Sequence, residues 1–91
     1  MQDSKENEKI LKKTFGDVVK QLRITNTTLS CNKAEEEFDI SHGNLNKIEN
    51  GKNNPTLTTM WKTAESTGQK LSYIISLIEN RVGEDFSLTD Q

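Results

Sequence analysis

At 91 residues the chain is sized for one small domain, near the length at which a single core is only just sufficient. Hydrophobic residues make up 31% and charged residues 29%, and the formal net charge of −2 excludes a broad basic surface, so any nucleic-acid contact must be a local patch. One Cys excludes an intrachain disulfide, no apolar run exceeds Tyr73-Ile74-Ile75, and no secretory signal marks the N-terminus, so a soluble cytoplasmic protein with no membrane span is expected.

Residues 1–7 are polar, carry charges of both signs and lack apolar periodicity, which predicts a flexible N-terminal arm. From Glu8 to about Ile24, the residues Leu11, Phe15, Val18, Val19 and Leu22 recur at spacings of three and four. They predict a helix with one buried face. Lys9, Lys12, Lys13 and Lys20 fall elsewhere on it. The first three read as a solvated helix start rather than a phosphate-touching arm, as charge runs usually do. A polar turn follows over Thr25 to Thr28.

Leu29 to Gly51 reads as two short helices joined by a tight turn. Ser30 and Ser41 can each cap a helix by accepting a hydrogen bond from a free backbone N–H one turn in. Leu29 can then pack on Ala34, and Ile40 on Leu45, at the spacings of a hydrophobic staple. Gly51 supplies the left-handed residue that ends the second helix. Only Phe38, Asp39 and Ile40 lie near the join, so the helices must cross steeply. The pattern is a helix-turn-helix.

Lys52-Asn53-Asn54-Pro55 is a loop. Thr56 caps the next helix, whose inner stripe is expected to be Leu57, Met60, Trp61 and Ala64, with Gly68 ending it. Trp61 at this spacing reads as core. A fifth helix runs from about Leu71 to Arg81, with Leu71, Ile74, Ile75, Ile78 and Val82 on one side and Tyr73 with Leu77 on another. The second patch predicts a partner surface, most simply a homodimer interface. Gly83 stops the helix, and residues 83–91 form an acidic tail around Phe86 and Leu88. The predicted domain therefore spans residues 8–82.

In the second motif helix, Leu45 and Ile48 define the inward direction. Gly43, Asn46, Lys47 and Asn50 lie opposite, with His42 and Asn44 on the flanks. Asn can make two hydrogen bonds to an adenine edge, and Lys can reach guanine acceptors or a phosphate. Gly43 has no side chain to read with, so its share is steric.

These residues carry a resemblance. Leu29-Ser30, Phe38, Ile40-Ser41, Leu45, Ile48-Glu49, Gly51-Lys52, Asn54-Pro55 and Leu57 match without a gap the run of the lambda-repressor-like (Cro-like, XRE-type) helix-turn-helix DNA-binding family. Phe15-Gly16 and Leu22-Arg23 fit its first helix. The resemblance implies an all-α fold, a compact five-helix domain whose second motif helix enters the DNA major groove. Carried over by position, His42, Gly43, Asn44, Asn46 and Lys47 would face base edges. It likewise implies phosphate contacts at Cys31, Asn32, Asn50, Lys52, Asn53 and Asn54, and a structural salt bridge between Arg23 and Glu49. The sequence departs from the family at four places. Cys31 replaces a Gln, Ala34 a core Leu, Glu35 a small Ala, and Asp39 a turn Gly. Asp tolerates positive φ better than most residues. Glu35-Glu36-Glu37 and Asp39 place negative charge on the motif.

The function expected is a sequence-specific regulator of double-stranded DNA, most simply a repressor acting as a homodimer on an inverted repeat. The alternative is a protein-interaction module of the same fold, an antitoxin or a regulator of another repressor, with a regulatory protein as partner. An enzyme is disfavoured, and no cofactor or metal site is expected. One His and one Cys cannot make a zinc ligand set, and His42 and Cys31 lie on different helices without a third group.

Overall fold

A computed structural model describes residues 4–26 and 36–89. Four helices are bounded as α1 (Ser4–Asn26), α2 (His42–Glu49), α3 (Leu57–Thr67) and α4 (Leu71–Val82). Residues 36–38 are also helical, giving five helical segments and no strand among the described residues. The expected Ser30 cap, the Leu29–Ala34 staple and the departures at Cys31, Ala34 and Glu35 lie outside the described residues.

The long α1 is the organising rod. It packs against α2, α3 and α4, and α3 and α4 also pack on each other. Its stripe of Phe15, Val18 and Val19 is buried, with Leu11 and Leu22 leaning on the same cluster. Ile40, Leu45, Ile48, Ala64, Ile74 and Ile78 complete the core. The helix begins at Ser4, earlier than its apolar periodicity indicates. Asn7, expected in a flexible arm, is instead buried, and its amide donates to the Ser87 carbonyl at 2.7 Å. This bond ties the end of the chain to the start of α1, a long-range contact that polar composition cannot reveal.

The inner face of α3 differs from the expected stripe. Trp61 and Leu57 are 60% and 67% exposed, so neither belongs to the core. Of the expected stripe, Ala64 is buried and Met60 packs against the core, and Thr63, Ser66 and Thr67 are buried beside them. The reason lies in the hydroxyls. Thr63 donates to the Thr59 carbonyl, Ser66 to that of Thr63 and Thr67 to that of Ala64, at 2.6–2.8 Å. A short hydroxyl side chain so satisfied carries little desolvation penalty, and its small volume lets α3 lie close to its neighbours. Trp61 instead lines a surface groove with Phe38, Ala64 and Leu71.

On α4, Ile74 and Ile78 are buried, and Leu71, Ile75 and Val82 pack against them. Leu77, expected on a second exposed patch, packs against the core and faces Val18 and Leu22 of α1. Tyr73 alone of that pair stands exposed, at 47%.

This arrangement predicts unequal costs in urea denaturation. Ile74→Ala should cost about 2–5 kcal/mol, as for a fully buried aliphatic. Trp61→Ala should cost under about 1 kcal/mol, as for a surface position. A Trp61 cost of about 3–5 kcal/mol, the range for a buried aromatic, would place the indole in the core.

Candidate nucleic-acid interface

The surface is built on α2, an eight-residue helix too short to persist alone in water. Its two ends and its inner face hold it. The Ser41 hydroxyl accepts from the Asn44 N–H at 3.1 Å, and the Ser41 carbonyl takes the Leu45 N–H at 2.9 Å. At the other end, Gly51 N donates to Ile48 O at 3.0 Å and Lys52 N to Lys47 O at 2.9 Å. That pair of bonds is a Schellman motif, and it needs the left-handed φ of 72° that Gly51 adopts. Leu45 and Ile48 are fully buried, and Ile40 is buried in the same cluster. The turn before α2 passes through Asp39 at φ 56°, the left-handed region that an aspartate can occupy. Lys62 of α3 holds its carboxylate at 3.2 Å.

Two contacts set α2 against α1. The first is a close backbone approach at Gly16. A Cβ there would collide with the Ile48 carbonyl oxygen and lie 3.0 Å from that of Glu49. The second is a two-bond ion pair, Arg23 Nε to Glu49 Oε2 at 2.7 Å and Nη2 to Oε1 at 2.9 Å. Their side chains are 15% and 4% exposed. The structure thus brings together residues 26 positions apart, and the planar guanidinium fork fixes direction as well as distance. The loop after α2 rests on α1 too, since a Cβ on Gly51 would lie 3.0 Å from Lys13 Cα. Lys13 therefore stands beside the loop that carries Lys52.

With the inward side so engaged, Gly43, Asn46, Lys47 and Asn50 are exposed and Asn44 is half-buried. His42 opens the helix. A Cβ added at Gly43 would meet nothing within 4 Å, so the outer side there is open. Lys52 and Asn54 are exposed in the following loop and Asn53 is half-buried. Cys31 and Asn32 lie outside the described residues. Tyr73 and Leu77, on α4, belong to a different helix from this surface.

The amides on this face are interlocked, which sequence reading missed. Asn50 Nδ2 donates to the Asn46 carbonyl at 2.9 Å and to Asn46 Oδ1 at 3.1 Å. Both its N–H groups are thereby used, so the Asn50 amide nitrogen, expected on a phosphate, is turned inward to its own helix. Asn53, also expected on a phosphate, donates to Asn44 Oδ1. Gly16 is likewise not among the expected site residues, and Lys13 reads from the sequence as part of a solvated helix start. A glycine in a helix interior gives no sign of what approaches it.

The surface has amide donors on α2 and two flanking lysines, Lys13 and Lys52. Among the described residues, no group of three or more His, Cys, Asp or Glu is placed to hold a metal ion. No helix there is long and apolar enough to cross a membrane.

Comparison with known proteins gives two matches. The helix-turn-helix family model matches residues 19–74. A control protein of a Mycoplasma species, C.MunI, is 35% identical over 69 residues, covering 76% of this chain and 93% of that protein. No solved structure matches.

The ion pair yields a double-mutant prediction. Arg23→Ala and Glu49→Ala should each destabilise by about 3 kcal/mol in chemical denaturation, because each strands a charge of which little is solvated. The double mutant should lose less than the sum, with a coupling of about 1–3 kcal/mol. Additive losses would show that the pair does not tie α1 to α2.

Proposed function

This chain belongs to the lambda-repressor-like (Cro-like) helix-turn-helix family of DNA-binding transcriptional regulators, and on that premise we propose that it is a sequence-specific repressor acting as a homodimer on an inverted-repeat operator. The observation that carries the reading is the open, polar outer face of α2, held rigidly by α1 and followed by a loop bearing Lys52. His42, Gly43, Asn44, Asn46 and Lys47 read base edges, while Lys52, Asn53 and Asn54 approach phosphates. Cys31 and Asn32 complete the phosphate set from the start of the motif. Lys13 adds a cation beside the loop. The name of the relative, a control protein, supports regulation rather than catalysis. A homodimer sets two such helices in successive major grooves, so half-sites lie about one helical turn, ~34 Å, apart. Such a protein works in the cytoplasm.

A second reading is favoured by one observation. Glu36, Glu37 and Asp39 are exposed beside α2, and their charge opposes phosphate approach. On that reading the chain is a protein-interaction module of the same fold, with Tyr73 exposed toward a partner.

Salt separates the two readings. A labelled duplex from the DNA flanking the coding region should bind the wild type tightly and weaken by roughly a thousandfold between 50 and 200 mM salt. The His42→Ala/Lys47→Ala double mutant should lose that binding. Binding that ignores salt, or survives in the double mutant, would retire the repressor reading.

A further inference from the structure

The interlocked amides bear on which bases are read. An asparagine amide offers one acceptor oxygen and an NH2 with two donors. Pairing with adenine uses both kinds at once, accepting from N6 and donating to N7. On this protein each acceptor oxygen already has one of its two lone pairs engaged and is turned toward the neighbour that holds it. Asn46 Oδ1 receives a hydrogen bond from Asn50, and Asn44 Oδ1 receives one from Asn53. The orientation at Asn46 follows from its neighbour. Asn50 Nδ2 also donates to the Asn46 backbone carbonyl, so its nitrogen end must face Asn46, and only an oxygen there can accept. An NH2 group turned the other way would meet another donor.

Each reading amide is therefore held by its oxygen, with its nitrogen left for a partner outside the protein. Lys47 adds an ammonium, which can only donate. Among the described side chains of α2, Asn50 Oδ1 is a further exposed acceptor, at the C-terminal end, away from the residues expected over the base edges.

Resting on the proposed DNA-binding function, we infer that the α2 face is a hydrogen-bond donor surface whose ligand is a pair of adjacent acceptors, the N7 and O6 of guanine, rather than the mixed edge of adenine. Asn44, Asn46 and Lys47 supply the donors. Asn53 and Asn50 are positioning residues, which act by holding the oxygens of Asn44 and Asn46. The same chemistry would also suit phosphate oxygens, which are acceptors too. The two sources differ in one respect. A phosphate contact is blind to the base and contributes to the salt slope, whereas a guanine contact depends on a ring nitrogen.

Selection of binding sites from a random duplex library, with the whole chain as bait, tests this. The wild type should enrich half-sites with guanine at the positions under α2. Replacing those guanines by 7-deazaguanine, which lacks N7 and keeps base pairing and backbone, should weaken binding about tenfold with the salt slope unchanged. Asn53→Ala should keep the melting temperature, because Asn53 lies in a loop outside the core, and should shift one position of the selected half-site toward adenine by freeing the Asn44 oxygen. Three results would overturn the inference. Wild-type half-sites with adenine under α2 would do so while leaving DNA binding intact. So would indifference to 7-deazaguanine, which would assign the donors to phosphates. Enrichment of no sequence would remove it together with the function on which it rests.

Discussion

The attachment of α2 to α1 is the constraint on which the rest of the structure depends. A helix of eight residues has too few internal hydrogen bonds to offset the entropy of ordering it, so its direction must come from outside. Here the direction is set at three points along one side. Leu45 and Ile48 enter the core, the Gly16 backbone meets the last turn of α2 without an intervening side chain, and the Arg23 fork grips Glu49. Glu49 shows why the pair matters. A carboxylate this deeply buried is tolerable only with its charge matched and its oxygens bonded, and Arg23 supplies both. The ion pair specifies the angle at which α2 stands more than it adds net stability.

Fixing the inner side and both ends of α2 leaves the outer side free of structural duty. That freedom allows a helix face made of glycine, amides and a lysine, none of which could help hold a core. The second level of order lies within that face. The Asn46–Asn50 and Asn44–Asn53 bonds restrict side chains that would otherwise sample several rotamers, so less entropy is lost when a ligand docks. The loop residue Asn53 thereby ties α2 to the loop that carries Lys52.

Much of this was legible from local signals. Ser41 before α2 and Gly51 after it mark ends whose chemistry is set by nearest neighbours, and the structure gives both the bonding expected of such residues. The α1 stripe follows from helical period alone. The failures share a different cause. Hydrophobicity places Trp61 in the core, yet much of the inner face of α3 is occupied by hydroxyls that bond to their own helix, a solution that a hydrophobic count cannot see. Helical angle places Leu77 outward, but it packs against the core beside Val18 and Leu22 of α1. Asn7 looked like arm and is a tertiary anchor. For the candidate site, sequence indicated an Asn-rich face but not its internal bonding, because which amide holds which depends on where the loop folds back.

On the proposed function, α2, presented by α1, is the surface that meets DNA. The most direct test is a titration of the isotope-labelled chain with a selected duplex, following backbone amide resonances by NMR. The largest shifts should fall in α2 and the loop after it, between His42 and Asn54. Largest shifts around Trp61 and Tyr73 on α3 and α4, with α2 unmoved, would contradict it.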